Sequence, residues 1–382
     1  MGALQKLFTA HGAHYLEQFG ETMPATHRKV IAAMLACRTP QAGVLWCGCA
    51  ACGAAHLLPR SCGNRHCPSC QGRKAFQWLA RQLERALPTH HFMLTFTVPE
   101  PLRAFLRSNQ RIGYEALFAA SAAAIRTLAG EPRFKLGDQP GFFGVLHTWG
   151  RTLQYHPHIH YVVPGGALST EDRQWHGASP GFFLPVHALS TIYRAKFRDA
   201  IERAGLLAEI PDAVWNIAWN VNCQPVGDAA NTLGYLARYV FKVAISDQRI
   251  LGIDQGQVRF AYTKPGSSRR RTMVLAAAEF IRRFLQHVLP HGFMKVRHYG
   301  FLSPSFGLPF GEVRARVEMA HGFATRPVNT DSDAPAPKPM VCSHCGGALK
   351  LLRVLPAARQ RPASACAAPG VSPATPAALA GP

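Results

Sequence analysis

Apolar and polar residues alternate with a period of two in HFMLTFTVP, where Phe92, Leu94, Phe96 and Val98 are spaced by Met93, Thr95 and Thr97. That period predicts a strand with one face turned to a core. GFFGVLHTW and HIHYVV predict a second and a third strand joined by about eight residues of turn, and AVWNIAWNVNC predicts a fourth. A helical period runs through PEPLRAFLRSNQRIGYEALFAASAAAIRTLAG after its proline-rich start, and through LPVHALSTIYRAKFRDAIERAG. The order over residues 91 to 223 is therefore β-α-β-β-α-β. This split arrangement makes an α+β fold with a ferredoxin-like antiparallel sheet, helices on one face and the other face open for a site.

On either side the pattern is less regular. QGRKAFQWLARQLERAL places Phe76, Leu79, Leu83 and Leu87 at helical spacing. Beyond the sheet come a helix around GDAANTLGYLARYVFKVA, a hairpin of QVRFAY and RRRTMVLA, and the helix AAEFIRRFLQHVL. DSDAPAPKP reads as a proline-rich linker, and the Ala/Pro-rich tail beyond Leu355 as disordered. The expected organisation is a Cys-rich, basic domain over 1–88, a domain carrying the sheet over 89–310, a linker over 311–340, and a CxxC segment with a disordered tail over 341–382. No internal repeat is visible.

Charge then narrows the partners. The 382 residues include 42 Lys+Arg against 21 Asp+Glu, a net charge of +21, while 48% are hydrophobic and 16% charged. A globular chain short of acids points to a polyanionic partner, nucleic acid before an anionic membrane. No apolar run reaches the length needed to span a bilayer and the first residues lack a signal-peptide core, so the expectation is a cytoplasmic, nucleoid-associated protein without membrane contact. None of the few acids is grouped around the motifs below, so chemistry built on three acidic residues fits poorly.

Seven of the 11 cysteines lie between Cys37 and Cys70. Clustering with C-x-x-C spacing implies metal before disulfide. Cys49-x-x-Cys52 and Cys67-x-x-Cys70, fourteen residues apart, are expected to close on one Zn2+. Cys37, Cys47, Cys62, His56 and His66 remain as alternative ligands or as a second site, with Cys62, His66 and Cys37 foremost. Cys342-x-x-Cys345 supplies half a site with no second pair near it in sequence. Arg60, Arg65, Arg73 and Lys74 beside the knuckles are candidates for DNA docking.

In HPHIHYVV, strand alternation sends His158 and His160 to one face and Ile159 and Tyr161 to the other. Two residues of rise set their Cα atoms about 7 Å apart, a spacing at which two imidazoles converge on one ion. His147 on the preceding strand is the candidate third ligand, with Gln154 as its rival. In LGYLARYVFK, Tyr235 and Tyr239 share a helical face, bordered by Asn231, Arg238 and Lys242. A phenolic oxygen is a poor nucleophile at neutral pH unless its target is polarised, which a divalent cation does for phosphate.

At His158, Ile159 and His160 the sequence resembles the HUH superfamily of single-strand endonucleases, and more narrowly the two-tyrosine rolling-circle transposases of the insertion sequence 91 family. SCGNRHCPSCQG, HTWGRTLQYHPHIHYVVPGG, GYLARYVFKVAIS and EFIRRFLQHVLPHGFMKVRHYGFL carry the likeness across most of residues 1 to 310. The resemblance implies a ferredoxin-like nuclease core, Mg2+ or Mn2+ held by His158 and His160 with a third ligand, and Tyr235 and Tyr239 as nucleophiles. It favours His147 as that third ligand, since relatives often take one from a neighbouring strand. It further implies cleavage and rejoining of single-stranded or hairpin transposon ends through a 5′-phosphotyrosine. Lys242, Arg269, Arg270, Arg271, Arg282, Arg283, Lys295 and Arg297 are the candidate DNA-backbone contacts. Two other readings share these features: a rolling-circle replication initiator or relaxase, and a non-catalytic zinc-dependent DNA-binding regulator.

Overall fold

The computed structural model describes residues 2–227, 244–264, 266–322 and 340–356, the side chains of 72–76 and 79 excepted. Tyr235, Tyr239 and Lys242, the linker after residue 322 and the tail after 356 lie outside the described residues, as does the side chain of Arg73.

Two helices, α1 (Ala3–Phe19) and α2 (Ala25–Ala36), precede the strands β1 (Val44–Cys49) and β2 (Ala55–Pro59) and the helix α3 (Pro68–Glu84). Then come β3 (His91–Thr97), α4 (Leu102–Ser108), α5 (Gln110–Ala129), β4 (Phe142–Trp149) and β5 (Tyr155–Pro164). A short pair, β6 (Gly166–Leu168) and β7 (Trp175–Gly177), leads to α6 (Val186–Arg203), the single turn α7 (Ala213–Asn216) and β8 (Val221–Gly227). Further on lie β9 (Ile250–Asp254), β10 (Gln257–Thr263), β11 (Arg270–Ala276), α8 (Ala277–Leu285), β12 (Val296–Tyr299), α9 (Phe310–His321) and β13 (Leu349–Leu355).

The described residues form two compact units, one of residues up to 37 with 62 to 322, the other of 38 to 61 with 340 to 356. The expected single block over 1–88 is thus divided. Its first part is helical, because Leu4, Leu7, Phe8, Val30, Ile31 and Met34 form apolar stripes that close on Phe280 and Phe284 of α8.

The larger unit is organised by a five-stranded antiparallel sheet in the order β12-β4-β5-β3-β8. Strand alternation sorts its side chains as the sequence predicts. Phe92, Leu94 and Phe96 of β3, Phe142 and Leu146 of β4, and Ile159, Tyr161 and Val163 of β5 form one core with α5 and α6. Tyr161 and Ser121 satisfy each other inside it at 2.7 Å, so the buried hydroxyls cost little. The α helices of the predicted β-α-β-β-α-β order are in place, with the first broken at Asn109 into α4 and α5.

Three features depart from expectation. AVWNIAWNVNC is a helical turn at Ala213–Asn216 followed by a strand that begins only at Val221, since Val214 and Trp219 are drawn into the α6 core. β12 is an added edge strand on β4. The second sheet face is not wholly open: Trp78, Leu87, Phe301, Leu302, Val313 and Val317 cover Phe143, Val145 and Val162. The site on this face is confined to the end of β4 and β5 that this cover does not reach. Among the described residues no helix is long and apolar enough to cross a membrane.

Candidate metal centres

On the second sheet face, His147 of β4 stands directly opposite His158 of β5, and His160 stands opposite Thr95 of β3. One ligand nitrogen from each of His147, His158 and His160 lies within 4.8 Å of the others. The structure therefore brings His147, not Gln154, to the histidine pair; Gln154 instead accepts a hydrogen bond from the Thr152 hydroxyl in the turn.

The tautomers are set by neighbours. The His158 Nδ1–H donates to the His156 carbonyl at 2.7 Å, and His160 Nδ1 lies 2.9 Å from the Thr95 hydroxyl. Both rings are thereby oriented with Nε2 as the nitrogen available to a cation. Burial holds His158 well below the usual imidazole range and takes His160 down to about 4, with the neighbouring His156 adding to the latter. Both are neutral at physiological pH, the state a ligand requires. His147 is 2% exposed and stacks on Trp149, ring centroids 4.9 Å apart. Among the described residues the group is three imidazoles, with no Cys, Asp or Glu beside them.

Thr95, His156 and Trp149 are the residues that sequence reasoning missed. Thr95 was legible in principle, since it sits on the outward positions of the β3 alternation. His156 depends on the turn entering β5, and among the described residues its buried Nδ1 has no hydrogen-bond partner.

The cysteines group differently from the expected pairing of Cys49 and Cys52 with Cys67 and Cys70. Cys67 and Cys70 lie with Cys37 and Cys62, and Cys49 and Cys52 lie with Cys342 and Cys345. In the first group, Cys37 ends α2, Cys67 and Cys70 open α3, and Cys62 lies in the loop before it. Sulfur–sulfur separations are 3.4 Å for Cys37–Cys70, 3.5 Å for Cys62–Cys70 and 3.7 Å for Cys37–Cys67. Zinc–sulfur bonds of about 2.3 Å in a tetrahedron imply edges of about 3.8 Å, so this donor set fits Zn2+. The hydrogen bond from Cys67 draws the Cys62 thiol down and drives Cys67 upward, the direction in which a thiolate is favoured at Cys62. His66 is not part of the group: it lines a small cavity with Arg65, His287 and Lys295, and burial takes it down to about 3.

The basic candidates separate as well. Arg269, Arg270 and Arg271 are exposed at the start of β11. Arg65 donates to the Phe293 carbonyl at 2.7 Å. Arg282 and Arg283 are held by Glu279, and Arg297 stacks on the rings of Phe118 and Phe293, so these three serve the fold. Lys295 is half-buried, and burial together with Arg65 takes it down to about 8.

A three-imidazole group on an antiparallel sheet, joined to a four-thiol group, narrows the class. A family model described as "Transposase zinc-binding domain" matches residues 7–98, and one described as "Putative transposase" matches residues 141–307. The protein is a zinc-binding transposase, of the class that cuts and transfers DNA strands. It is 38% identical over 319 residues to putative transposase y4qJ of Sinorhizobium fredii, covering 78% of this chain and 79% of that one. It is 29% identical over 329 residues to the transposase for insertion sequence element IS801 of Pseudomonas savastanoi pv. phaseolicola, covering 78% and 76%. The chain belongs to the insertion sequence 91 family of transposases. No solved structure matches it.

Proposed function

We propose that this transposase cleaves and rejoins single-stranded or hairpin transposon ends through a 5′-phosphotyrosine intermediate, in rolling-circle transposition. The observation that carries the reading is the convergence of His147, His158 and His160 on the partly covered face of the sheet. The strand order β8-β3-β5-β4, with α5 and α6 on the opposite face, supports a ferredoxin-like core of the HUH type.

His158, His160 and His147 would hold Mg2+ or Mn2+, and that ion would polarise the scissile phosphate. Imidazoles suit manganese better than magnesium. Tyr235 and Tyr239, both outside the described residues, are the proposed nucleophiles. The phenolic oxygen of one attacks phosphorus in line; the P–O3′ bond breaks, the 3′ oxygen takes up a proton, and the 5′ end stays on the tyrosine. The reverse attack, by a 3′-hydroxyl on the phosphotyrosine, reseals a strand without ATP because the phosphodiester bond energy is retained. The second tyrosine allows a second cut before the first is resolved. Residues 89–310 would carry this chemistry, with zinc and DNA binding in residues 1–88. Arg65, Arg73, Lys242 and Arg269 to Arg271 are the proposed phosphate contacts.

The test is covalent capture. Incubated with Mn2+ and labelled single-stranded ends, the wild-type protein should form an adduct whose mass is protein plus oligonucleotide. Phe at both Tyr235 and Tyr239 should abolish the adduct and leave binding within about twofold. An adduct of undiminished yield from the double variant would show that another residue is the nucleophile.

A further inference from the structure

Residues 340–356 fall outside both family matches, yet they are part of a built site. β13 pairs antiparallel with β1 from Val44 opposite Leu355 to Cys49 opposite Leu349, and β2 lies on the other side of β1. Just before β13, Cys342 and Cys345 meet Cys49 and Cys52. The Cys49–Cys345 sulfurs are 3.5 Å apart and the Cys52–Cys342 sulfurs 3.7 Å, the edge lengths of a small tetrahedron and far beyond an S–S bond of about 2.05 Å.

The two turns that present these thiols are constructed alike. The Gly53 N–H donates to the Cys49 carbonyl at 3.0 Å, and the Gly346 N–H to the Cys342 carbonyl at 2.9 Å. The Cys49 N–H donates to Ala54 at 2.9 Å, and the Cys342 N–H to Gly347 at 2.7 Å. Gly53 and Gly346 hold φ of 72° and 73°, where a β-carbon is strained. A β-carbon on Gly347 would lie 3.2 Å from the Cys49 sulfur and 3.3 Å from that of Cys345, so a glycine there lets the second turn close on the first. Two turns of one design, facing each other across four sulfurs, are more than a chance collection of thiols.

We propose that Cys49, Cys52, Cys342 and Cys345 hold a structural Zn2+ of their own, which fastens β13 to the hairpin of β1 and β2 and completes a zinc ribbon from two distant segments of the chain. Four thiolates close the coordination shell, so the site is structural and offers substrate no position. Four thiolates around Zn2+ leave a net charge of minus two. His56 Nε2 lies 3.2 Å from the Cys342 sulfur, and the His344 backbone N–H points at the same sulfur at 3.4 Å; an N–H at each place offsets that charge. Apolar burial does little to retain β13, because Leu351, Leu352 and Val354 remain 47%, 58% and 45% exposed. The metal supplies the closure that side-chain packing does not.

The experiment is zinc counting on the full chain, with thiol protection as a second readout. Elemental analysis of the wild-type protein and of the variant with Cys342→Ser and Cys345→Ser should show the variant short of one zinc per chain. In native-state maleimide labelling read by peptide mass, Cys49 and Cys52 should be protected in the wild type and labelled in the variant. Cys37, Cys62, Cys67 and Cys70 should stay protected in both, which separates loss of this site from general unfolding. An unchanged zinc content in the variant would overturn the proposal. So would disulfide-linked Cys49–Cys345 peptides from the native wild-type protein, or maleimide labelling of Cys49 and Cys52 in it.

Discussion

The histidine group and the Cys37 group are both metal centres in outline, but they are built from opposite materials. His147, His158 and His160 stand on adjacent strands of a sheet whose other face is packed by Phe92, Phe96, Tyr161, Tyr193 and Phe197. The rings are placed by a core that exists without them, and among the described residues the group has three ligands. Cys37, Cys62, Cys67 and Cys70 come from a helix end, a loop and a helix start, with four thiols and no open position. On the function proposed above, one centre is positioned by the fold and left open for chemistry, and the other supplies part of the fold and is closed to chemistry.

That contrast predicts effects of different size. The largest falls on the thiols: Cys67→Ser, or prolonged chelation, should remove metal-derived folding energy of about 10 kcal/mol from the region where α2 meets α3. Hydrogen exchange of α2 should rise by orders of magnitude. Unchanged exchange after demonstrated zinc loss would mean that packing, not metal, holds that region.

Next, His160→Ala should reduce manganese-dependent adduct formation about 1,000-fold, roughly 4 kcal/mol of barrier, with a melting temperature within a few degrees of wild type. A large drop in melting temperature would erase the distinction, because the histidine group would then be structural too.

The third effect sharpens the claim that the sheet is sound without metal. His287, 3% exposed, is taken by burial from the usual 6.5 to about 3. A buried imidazole that resists protonation favours folding fully above pH 6.5, and that stability drains away as pH falls from 6.5 toward 3, by up to about 1.4 kcal/mol per unit. Between pH 6.5 and 4.5 metal-depleted protein should lose about 2 kcal/mol in urea titrations through this group. His287→Gln should remove that share of the fall and leave those of His66, His158 and His160; an equally steep profile in the variant would show that His287 contributes none.

The smallest concerns Thr95, which touches His160 and not the ion. Thr95→Val should weaken Mn2+ binding about tenfold by calorimetry, with the fold intact. Equal affinity in the variant would show that strand geometry alone orients the ring.

Legibility followed the range of the interactions. The alternation in HFMLTFT and HIHYVV identified which side chains face the core, because a strand's period is local and one buried face enforces it. The histidine pair and its orientation could be read for the same reason, whereas the choice between His147 and Gln154 stayed open in the residues and was favoured toward His147 only by the resemblance. The AVWNIAWNVNC segment misled, because its aromatic and β-branched residues suit a strand while Val214 and Trp219 are claimed by α6. Arg282, Arg283, Lys295 and Arg297 read as available charge until Glu279, Phe118, Phe293 and burial engaged them.

What the sequence determined by itself, then, is the order of the sheet elements, the histidine clamp, the excess of positive charge and the presence of C-x-x-C turns. Only the tertiary structure decided which turn faces which. Cys49 and Cys67 lie close along the chain, yet Cys49 is grouped with Cys345 and Cys67 with Cys37. A C-x-x-C turn specifies its own two ligands through local hydrogen bonds and carries no information about the other two. Those are chosen by the backbone pairing of β1 with β13 and by the helices that bring Cys37 to α3.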